Sequence, residues 1–193
     1  MPHDPDILDL PSSFREPAIV IDNAYRIIAA NQAYQDRYGS MDDLRNKRCH
    51  QVSHGNDVPC HLAGEDCPLL RARESGINQK ALHIHHSPHG DEHVDVETRP
   101  LAPDENGSPR YFLEVVRPSA IASIQPDTQG MVGRAPSFMA MLDLVHRVAK
   151  SDVTALLLGE SGSGKEMVAM AIHEESLRAK GNFIPVECSG LTE

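Results

Sequence analysis

The residues with the clearest chemical potential form a glycine-rich run at positions 159–166, which reads G-x-x-x-x-G-K followed by glutamate. Glycines let the backbone curve so that successive N–H groups point at phosphate oxygens, and the lysine adds a mobile positive charge for the terminal phosphates. The pattern predicts a nucleotide-binding phosphate loop; the alternative is a Gly/Ser loop that precedes a lysine by chance. The candidate binding residues are Gly159, Glu160, Ser161, Gly162, Ser163, Gly164, Lys165 and Glu166.

A second concentration of reactive side chains lies at residues 49–67, where three of the four cysteines fall within nineteen residues. The spacing is C-x4-H-x5-C-x6-C, and a proline stands beside two of the cysteines. Thiolates and imidazole suit zinc or an iron–sulfur centre, and three cysteines with one histidine would complete a tetrahedral site. The predicted metal ligands are Cys49, His54, Cys60 and Cys67.

Two other interpretations of this cluster stay open. The thiols could sense redox state, because grouped cysteines in a reducing compartment favour metal or redox chemistry over structural disulfides. They could also be buried and uncoordinated. Nearby histidines could line a ligand pocket or add ligands to the cluster, although we expect them to be exposed on a strand near a turn. They are His83, His85, His86, His89 and His93.

The elements that must position the glycine-rich run follow from hydrophobic spacing. Residues 154–158 form a short apolar run, typical of a buried strand, and apolar residues recur at helical spacing over 166–176. A strand, a glycine turn and a helix N-terminus in this order place the positive end of the helix dipole at the loop. This context favours the phosphate-binding interpretation.

From residue 131 onward the sequence resembles the start of the AAA+ domain of the sigma-54-dependent transcription activators, the bacterial enhancer-binding proteins of the NtrC type. Glutamate after the loop lysine is usual in that family, whereas most phosphate loops have Ser or Thr there. Segments 132–133, 148–152, 172–178 and 183–191 are also similar to family segments, the last of them to the next strand. The resemblance implies ATP with Mg²⁺ as cofactor, homo-oligomeric assembly, and sigma-54 RNA polymerase as the partner of an intact version.

The same resemblance implies that most working parts of the domain would follow residue 193. These are the acidic motif for magnesium and water activation, the sigma-54-contacting loop, the sensor residues, the arginine finger and a DNA-binding helix-turn-helix. Phosphoryl transfer needs the metal, the attacking water and a charge-stabilising arginine in position. We therefore assign no catalytic residue, and we expect this chain, whether a fragment or a naturally short product, to bind nucleotide at most.

The sequence before residue 118 has the pattern of a small α+β domain. Asn31 is a helix cap, Gly39 ends the helix, and residues 104–107 form a turn between the last two strands. The order of elements, and the residues of the first, second and last strands, resemble a PAS domain. The predicted elements are strands at 18–22, 26–30, 79–86, 93–99 and 111–116 and a helix at 31–38.

The predicted fold class is an α+β PAS domain followed by the N-terminal part of an α/β P-loop (AAA+) domain. The domains are a PAS sensory domain at 12–117, a linker at 118–130 and the P-loop segment at 131–193. The net charge of −10 opposes a nucleic-acid-binding surface, and no apolar run reaches transmembrane length. We expect a cytoplasmic protein with no membrane contact and no direct DNA contact by this portion.

The expected function is that of a signal-responsive, ATP-binding, sigma-54-dependent transcriptional regulator. Its PAS domain would sense a redox, metal or small-molecule signal. The alternative is a non-enzymatic PAS module for sensing or dimerisation that retains a vestigial nucleotide loop.

Overall fold

The protein is built from seven strands and seven α-helices within residues 5–45, 47–88, 90–119, 122–123 and 131–186, which the computed structural model describes. The strands are β1 (Ala18–Asp22), β2 (Ile27–Ala30), β3 (Gln79–Ser87), β4 (Gly90–Pro103), β5 (Pro109–Pro118), β6 (Ala122–Ser123) and β7 (Met131–Val132). The helices are α1 (Pro5–Asp9), α2 (Gln32–Tyr38), α3 (Met41–Leu44), α4 (Cys49–Ser53), α5 (Pro68–Ser75), α6 (Pro136–Val148) and α7 (Lys165–Glu175).

The first five strands form one antiparallel sheet in the order β2-β1-β5-β4-β3. Strand β1 lies between two partners, and all five of its residues are buried. Ile19 and Ile21 pack into the cluster that includes side chains of α2 to α5, whereas Ala18 and Val20 pack with the N-terminal segment. Because side chains alternate along a strand, this sheet has an apolar core on each face.

Asn31 joins the N-terminal segment, β1 and α2. Its Oδ1 accepts hydrogen bonds from the backbone N–H groups of Tyr34, at 2.9 Å, and Ala18, at 3.0 Å. The first bond caps α2 as predicted, because an N-cap side chain satisfies a helix N–H that has no intrahelical acceptor. Its Nδ2 donates at 2.7–3.2 Å to the backbone carbonyls of Pro11, Phe14 and Glu16.

The structure confirms the predicted helix and the five predicted strands of this domain, with three strands longer than expected. Helix α2 begins after Asn31 and ends before Gly39. The β3–β4 hairpin is paired as far as Ser87 and Gly90, so β4 starts three residues before the expected position. Backbone hydrogen bonds thus extend the strands past the hydrophobic runs from which they were predicted.

The segment after the sheet packs against β3 and β4. Strand β6 pairs in parallel with β7, and Leu82 of β3 lies in a buried cluster with Leu142 and Val145 of α6. The His93 Nε2–H group donates to the carbonyl of Gly133 at 2.8 Å. Of the described helices, none combines the length and the apolar character that crossing a bilayer requires.

Two strands predicted in the P-loop segment are absent from the described residues. Residues 154–158 form no strand, and Leu156 and Leu158 are 81% and 83% exposed. Residues 183–186 are also outside any strand, while 187–191, including Cys188, lie outside the described residues. A strand needs a neighbour for its backbone hydrogen bonds, and no described strand pairs with either segment.

Candidate functional site

The glycine-rich loop runs directly into α7, and two of its glycines have left-handed backbones. Gly162 and Gly164 have φ angles of +79° and +84°, which residues with side chains rarely adopt. Gly164 is the N-cap of α7, and the helix begins at Lys165, one residue before the predicted start. The first N–H groups of a helix have no intrahelical acceptor, so this end of α7 can present them to an anion.

Lys165 folds back into the curve of the loop. Its Nζ donates to the carbonyl oxygens of Gly159, at 3.0 Å, and Glu160, at 2.6 Å. The Ser163 N–H and hydroxyl also donate to the Glu160 carbonyl. Phosphate oxygens carry more negative charge than carbonyl oxygens, so a bound nucleotide would compete for the same ammonium group. Nucleotide binding by this loop stays a prediction.

The three cysteines of the second candidate site lie on separate elements that meet beneath the sheet. Cys49 is the first residue of α4, Cys60 opens a 3-10 turn, and Cys67 is the N-cap of α5. All three are free and buried in the same apolar cluster. Pro59 and Pro68 precede and follow two of these cysteines and fix the backbone where the short elements begin.

Cys60 and Cys67 are neighbouring thiols of this cluster. The Cys60 thiol donates a hydrogen bond to the Cys67 sulfur, which lowers the pKa of Cys67 to about 6 against the opposing effect of burial. The Leu70 N–H at the start of α5 acts in the same direction. The same hydrogen bond, together with burial, raises the pKa of Cys60. Cys67 is therefore the thiol of this pair that more readily becomes a nucleophilic thiolate.

Mild oxidation is expected to join Cys60 and Cys67 in a disulfide, because the two thiols lie in the same buried cluster and each shifts the pKa of the other. Diamide would take two electrons and two protons from the pair as the S–S bond forms. Mass spectrometry after proteolysis should show a peptide linked through these two residues. Cys49→Ser should leave the link unchanged and Cys67→Ser should abolish it; a link that involves Cys49 instead would contradict the expectation.

Three of the candidate histidines are buried, contrary to the expectation that they are exposed. His83, His85 and His93 are 5%, 0% and 3% exposed, whereas His86 is exposed as expected. His89 lies outside the described residues. Although β3 is an edge strand, α4, α5 and α6 all contact it. Coverage of this kind depends on tertiary packing, which strand propensity does not reveal.

His54 brings the buried histidines of β3 next to the cysteine cluster. Its ring centroid lies 4.7 Å from that of His83 and 4.9 Å from that of His85. Among the described residues, two groups of three potential ligands have donor atoms within 4.8 Å of one another. One is His54, His83 and His85, and the other is His54, Cys60 and Glu65.

The four predicted metal ligands are therefore only partly brought together. His54 and Cys60 belong to one of the two groups, and neither group contains Cys49 or Cys67. Cys67 lies in the same buried cluster as Cys60, and burial raises the pKa of Cys49. Metal binding by the four residues as a set stays a prediction.

Glu114 is a buried acidic residue that the sequence reasoning did not select. It lies on β5 between Phe112 and Val116, which face the core beneath α2 to α5. Burial raises the pKa of Glu114 to about 8, and the nearby Cys67 acts in the same direction. The sequence does contain a signal for this residue. Residues two apart on a strand share a face, so a glutamate between two core residues must point inward.

Comparison with known families gives two matches along the chain. A family model described as the PAS fold matches residues 12–119, more than half of the 193 residues. A second model, described as the Sigma-54 interaction domain, matches residues 131–193. The second match includes the glycine-rich loop and α7.

Curated relatives match only part of the chain. The Nif-specific regulatory protein of Bradyrhizobium diazoefficiens is 46% identical over 76 residues, which cover 39% of this chain and 13% of that protein. The transcriptional regulatory protein FlbD of Caulobacter vibrioides is 40% identical over 75 residues, or 39% of this chain and 16% of that protein. The chain thus spans less than a fifth of the length of these relatives.

Among solved structures, the PAS domain of a protein from Colwellia psychrerythraea is 14% identical, with a TM-score of 0.47, over 57% of this chain and 92% of that chain. The family matches and the antiparallel sheet with its short helices identify the fold. The chain belongs to the PAS fold family, and it continues into a segment that matches the Sigma-54 interaction domain.

Proposed function

We propose that this protein is a signal-responsive, sigma-54-dependent transcriptional regulator. The observation that carries the proposal is the combination of two units on one chain. One is a PAS fold whose core holds buried cysteines and histidines, and the other is a Sigma-54 interaction match that contains a glycine-rich loop. The relatives named above are themselves regulatory proteins. We place the PAS unit at 12–117, the linker at 118–130 and the P-loop segment at 131–193.

The glycine-rich loop is proposed to bind ATP with Mg²⁺. The left-handed glycines and the start of α7 would supply N–H groups to the phosphates, and Lys165 would exchange its carbonyl partners for phosphate oxygens. Glu166 lies in the first turn of α7, where a carboxylate interacts favourably with the helix dipole. As a homo-oligomer, the protein would engage sigma-54 RNA polymerase in the cytoplasm.

Signal transfer is proposed to use direct contacts as well as the linker. Most of the linker lies outside the described residues, whereas contacts between the sheet and the P-loop segment are present on both β3 and β4. The Leu82 N–H lies 3.4 Å from the Asp143 carboxylate, and His93 donates to the Gly133 carbonyl. A rearrangement of β3 would therefore act on α6 directly.

A second candidate function is a non-enzymatic PAS sensing or dimerisation module with a vestigial nucleotide loop. It is favoured by the exposure of residues 154–158 and by the carbonyl partners that already satisfy Lys165. In a working phosphate loop the preceding strand is buried in a sheet that holds the loop in place.

Lys165→Ala is expected to weaken ATP affinity by about 10- to 100-fold, because a charge-assisted contact contributes about 1.5–3 kcal/mol. Isothermal titration of the whole chain with ATP and Mg²⁺ measures this effect. Lys180→Ala is the matched control, since Lys180 is exposed and outside the loop, and it should bind as the unaltered protein does. Absence of ATP binding by the unaltered, folded protein would favour the second candidate function.

The regulatory part of the proposal has its own readout in cells. Deleting the gene should change transcripts that start from sigma-54-type promoters, and restoring the gene with Lys165→Ala should fail to correct them. A transcript profile in which no sigma-54-type promoter responds would contradict the proposed function. It would favour the second candidate function, the non-enzymatic PAS module.

A further inference from the structure

The rings of His54, His83 and His85 converge in the interior of the PAS domain. His83 and His85 are two residues apart on β3 and therefore share a face, and His54 approaches them from the end of α4. One ring nitrogen of each lies within 4.8 Å of those of the other two. All three residues are at least nine-tenths buried, at 7%, 5% and 0% exposed.

Hydrogen bonding determines which nitrogen of His83 carries the proton. Its Nε2 faces the backbone carbonyl of Asp66, which can only accept a hydrogen bond, so Nε2 must be the donor. In a neutral imidazole the other nitrogen is then an acceptor. The Nδ1 lone pair of His83 therefore points into the cluster, where it lies 3.2 Å from His54 Nε2.

The Glu65 carboxylate lies beside the ring nitrogen of His54 that points away from His83. Its Nδ1 lies 3.1 Å from Glu65 Oε2, close enough for electrostatic attraction although the two groups are not aligned as a hydrogen bond. The Nε2 of His54 lies 3.2 Å from the Nδ1 of His83, and because that Nδ1 is an acceptor, the contact is a hydrogen bond that Nε2 of His54 donates. A metal ion bound by both nitrogens would take the place of this proton, and the Glu65 carboxylate would then favour the proton on the Nδ1 of His54.

His85 supplies the third converging nitrogen. Its Nδ1 is 2.8 Å from the Tyr38 hydroxyl, whereas its Nε2 is buried and has no hydrogen-bond partner among the described residues. A polar atom buried without a partner costs free energy comparable to a lost hydrogen bond. Bonding to a metal ion would remove this cost.

We propose that His54, His83 and His85 bind one divalent first-row transition metal ion, such as Zn²⁺, through Nε2, Nδ1 and Nε2 respectively. Imidazole nitrogens suit these ions, and zinc–nitrogen bonds of about 2.1 Å place tetrahedral ligands about 3.4 Å apart, near the 3.2 Å between His54 and His83. Glu65, the Asp66 carbonyl and the Tyr38 hydroxyl are the outer partners that orient the rings, as outer partners do in known metal sites. A fourth coordination position stays open for a small ligand.

A cleft of about 310 Å³ lies beside the site, between β3 and α6, and its lining includes His83 and Glu65. The same strand contacts α6 through Leu82 and Asp143. The inference therefore deepens the proposed function by naming a transition metal ion, or a ligand of that ion, as the signal. It differs from the Cys49, His54, Cys60 and Cys67 set because the ligand atoms of the three histidines lie within 4.8 Å of one another, whereas no such group among the described residues contains Cys49 or Cys67.

The test is titration of the whole, metal-stripped chain with Zn²⁺ in competition with a chromophoric chelator. We expect one Zn²⁺ per chain, and a loss of affinity of about 100-fold or more in His83→Ala and His85→Ala. His86→Ala is the matched control, because His86 lies on the same strand but is exposed, and it should bind normally. Far-UV circular dichroism establishes that each variant is folded.

Substitution of Zn²⁺ by Co²⁺ in the unaltered chain gives a readout that needs no variant. A site of three imidazoles should show cobalt d–d absorption of low-coordinate geometry without thiolate-to-cobalt charge transfer. Four results would each overturn the proposal. In the unaltered, folded chain they are strong thiolate-to-cobalt charge transfer or no binding at all. In the variants they are loss of Zn²⁺ binding in Cys49→Ser or Cys67→Ser, or normal binding in His85→Ala. These measurements involve neither ATP nor promoter activity, so a result against the metal site is distinguishable from a result against the proposed function.

Discussion

Asn31→Asp is expected to destabilise the folded protein by about 4 kcal/mol, a large share of the stability of a small domain. Aspartate has the same shape and retains the acceptor oxygen that caps α2. However, it lacks the amide group that donates to three backbone carbonyls, and it brings a buried negative charge toward those carbonyls. Chemical denaturation followed by circular dichroism measures the difference in free energy of unfolding.

The matched control for this substitution is Asn78→Asp. Asn78 is exposed between α5 and β3, so the same chemical change there should alter stability by less than about 0.5 kcal/mol. If Asn31→Asp were as stable as Asn78→Asp, the network around Asn31 would not hold the N-terminal segment on the sheet. If only the N-terminal segment detached while the sheet stayed folded, a protease would cut the chain before β1 faster than elsewhere.

Glu114→Gln is expected to stabilise the protein at alkaline pH and to flatten its pH dependence. Burial raises the pKa of Glu114 from 4.5 to about 8, which corresponds to at most about 5 kcal/mol. A raised folded-state pKa contributes stability that is fully present below pH 4.5 and is lost as the pH rises through about 8. Glutamine has no proton to lose, so the variant should be the more stable protein above that range.

Unfolding free energies measured between about pH 5 and pH 9 check this prediction, with Glu105→Gln as the control in the exposed turn between β4 and β5. The control should follow the unaltered protein at every pH. The Glu114 charge also raises the pKa values of Tyr34, Tyr38 and Cys49, and Cys67 raises that of Glu114. Glutamine removes this repulsion as well, which acts in the same direction at alkaline pH. A Glu114→Gln profile parallel to that of the unaltered protein would show that Glu114 stays ionised in the core.

The elements of the PAS unit that depend on local sequence were predictable. Strand β1 is a continuous apolar run, and α2 begins after Asn31 and ends before Gly39 as the capping rules indicate. The turn between β4 and β5 is likewise encoded locally: the Gly107 N–H donates to the Asp104 carbonyl, and Gly107 has a φ of +81°. These features satisfy their hydrogen bonds within a few residues.

The P-loop segment shows where local prediction fails. Helix α7 forms at Lys165–Glu175, within one residue of the prediction at each end, because a helix makes its own hydrogen bonds. Residues 154–158 have the composition of a buried strand but neither pair nor lie buried. A strand depends on partners elsewhere in the chain, so its composition is insufficient evidence for it.

The sequence by itself determined that the chain holds a PAS-like order of elements, a glycine-rich loop ahead of a helix, and a cysteine cluster with a nearby run of histidines. Only the tertiary structure decided that His54 meets His83 and His85, that Cys60 and Cys67 share one buried cluster, and that the loop lysine binds two carbonyls of its own loop. Spacing along the chain determines local elements, whereas contacts between residues 54 and 83 depend on how separate elements pack. The glycine-rich run is thus recognisable from its order of residues, and the histidine site is recognisable only after folding.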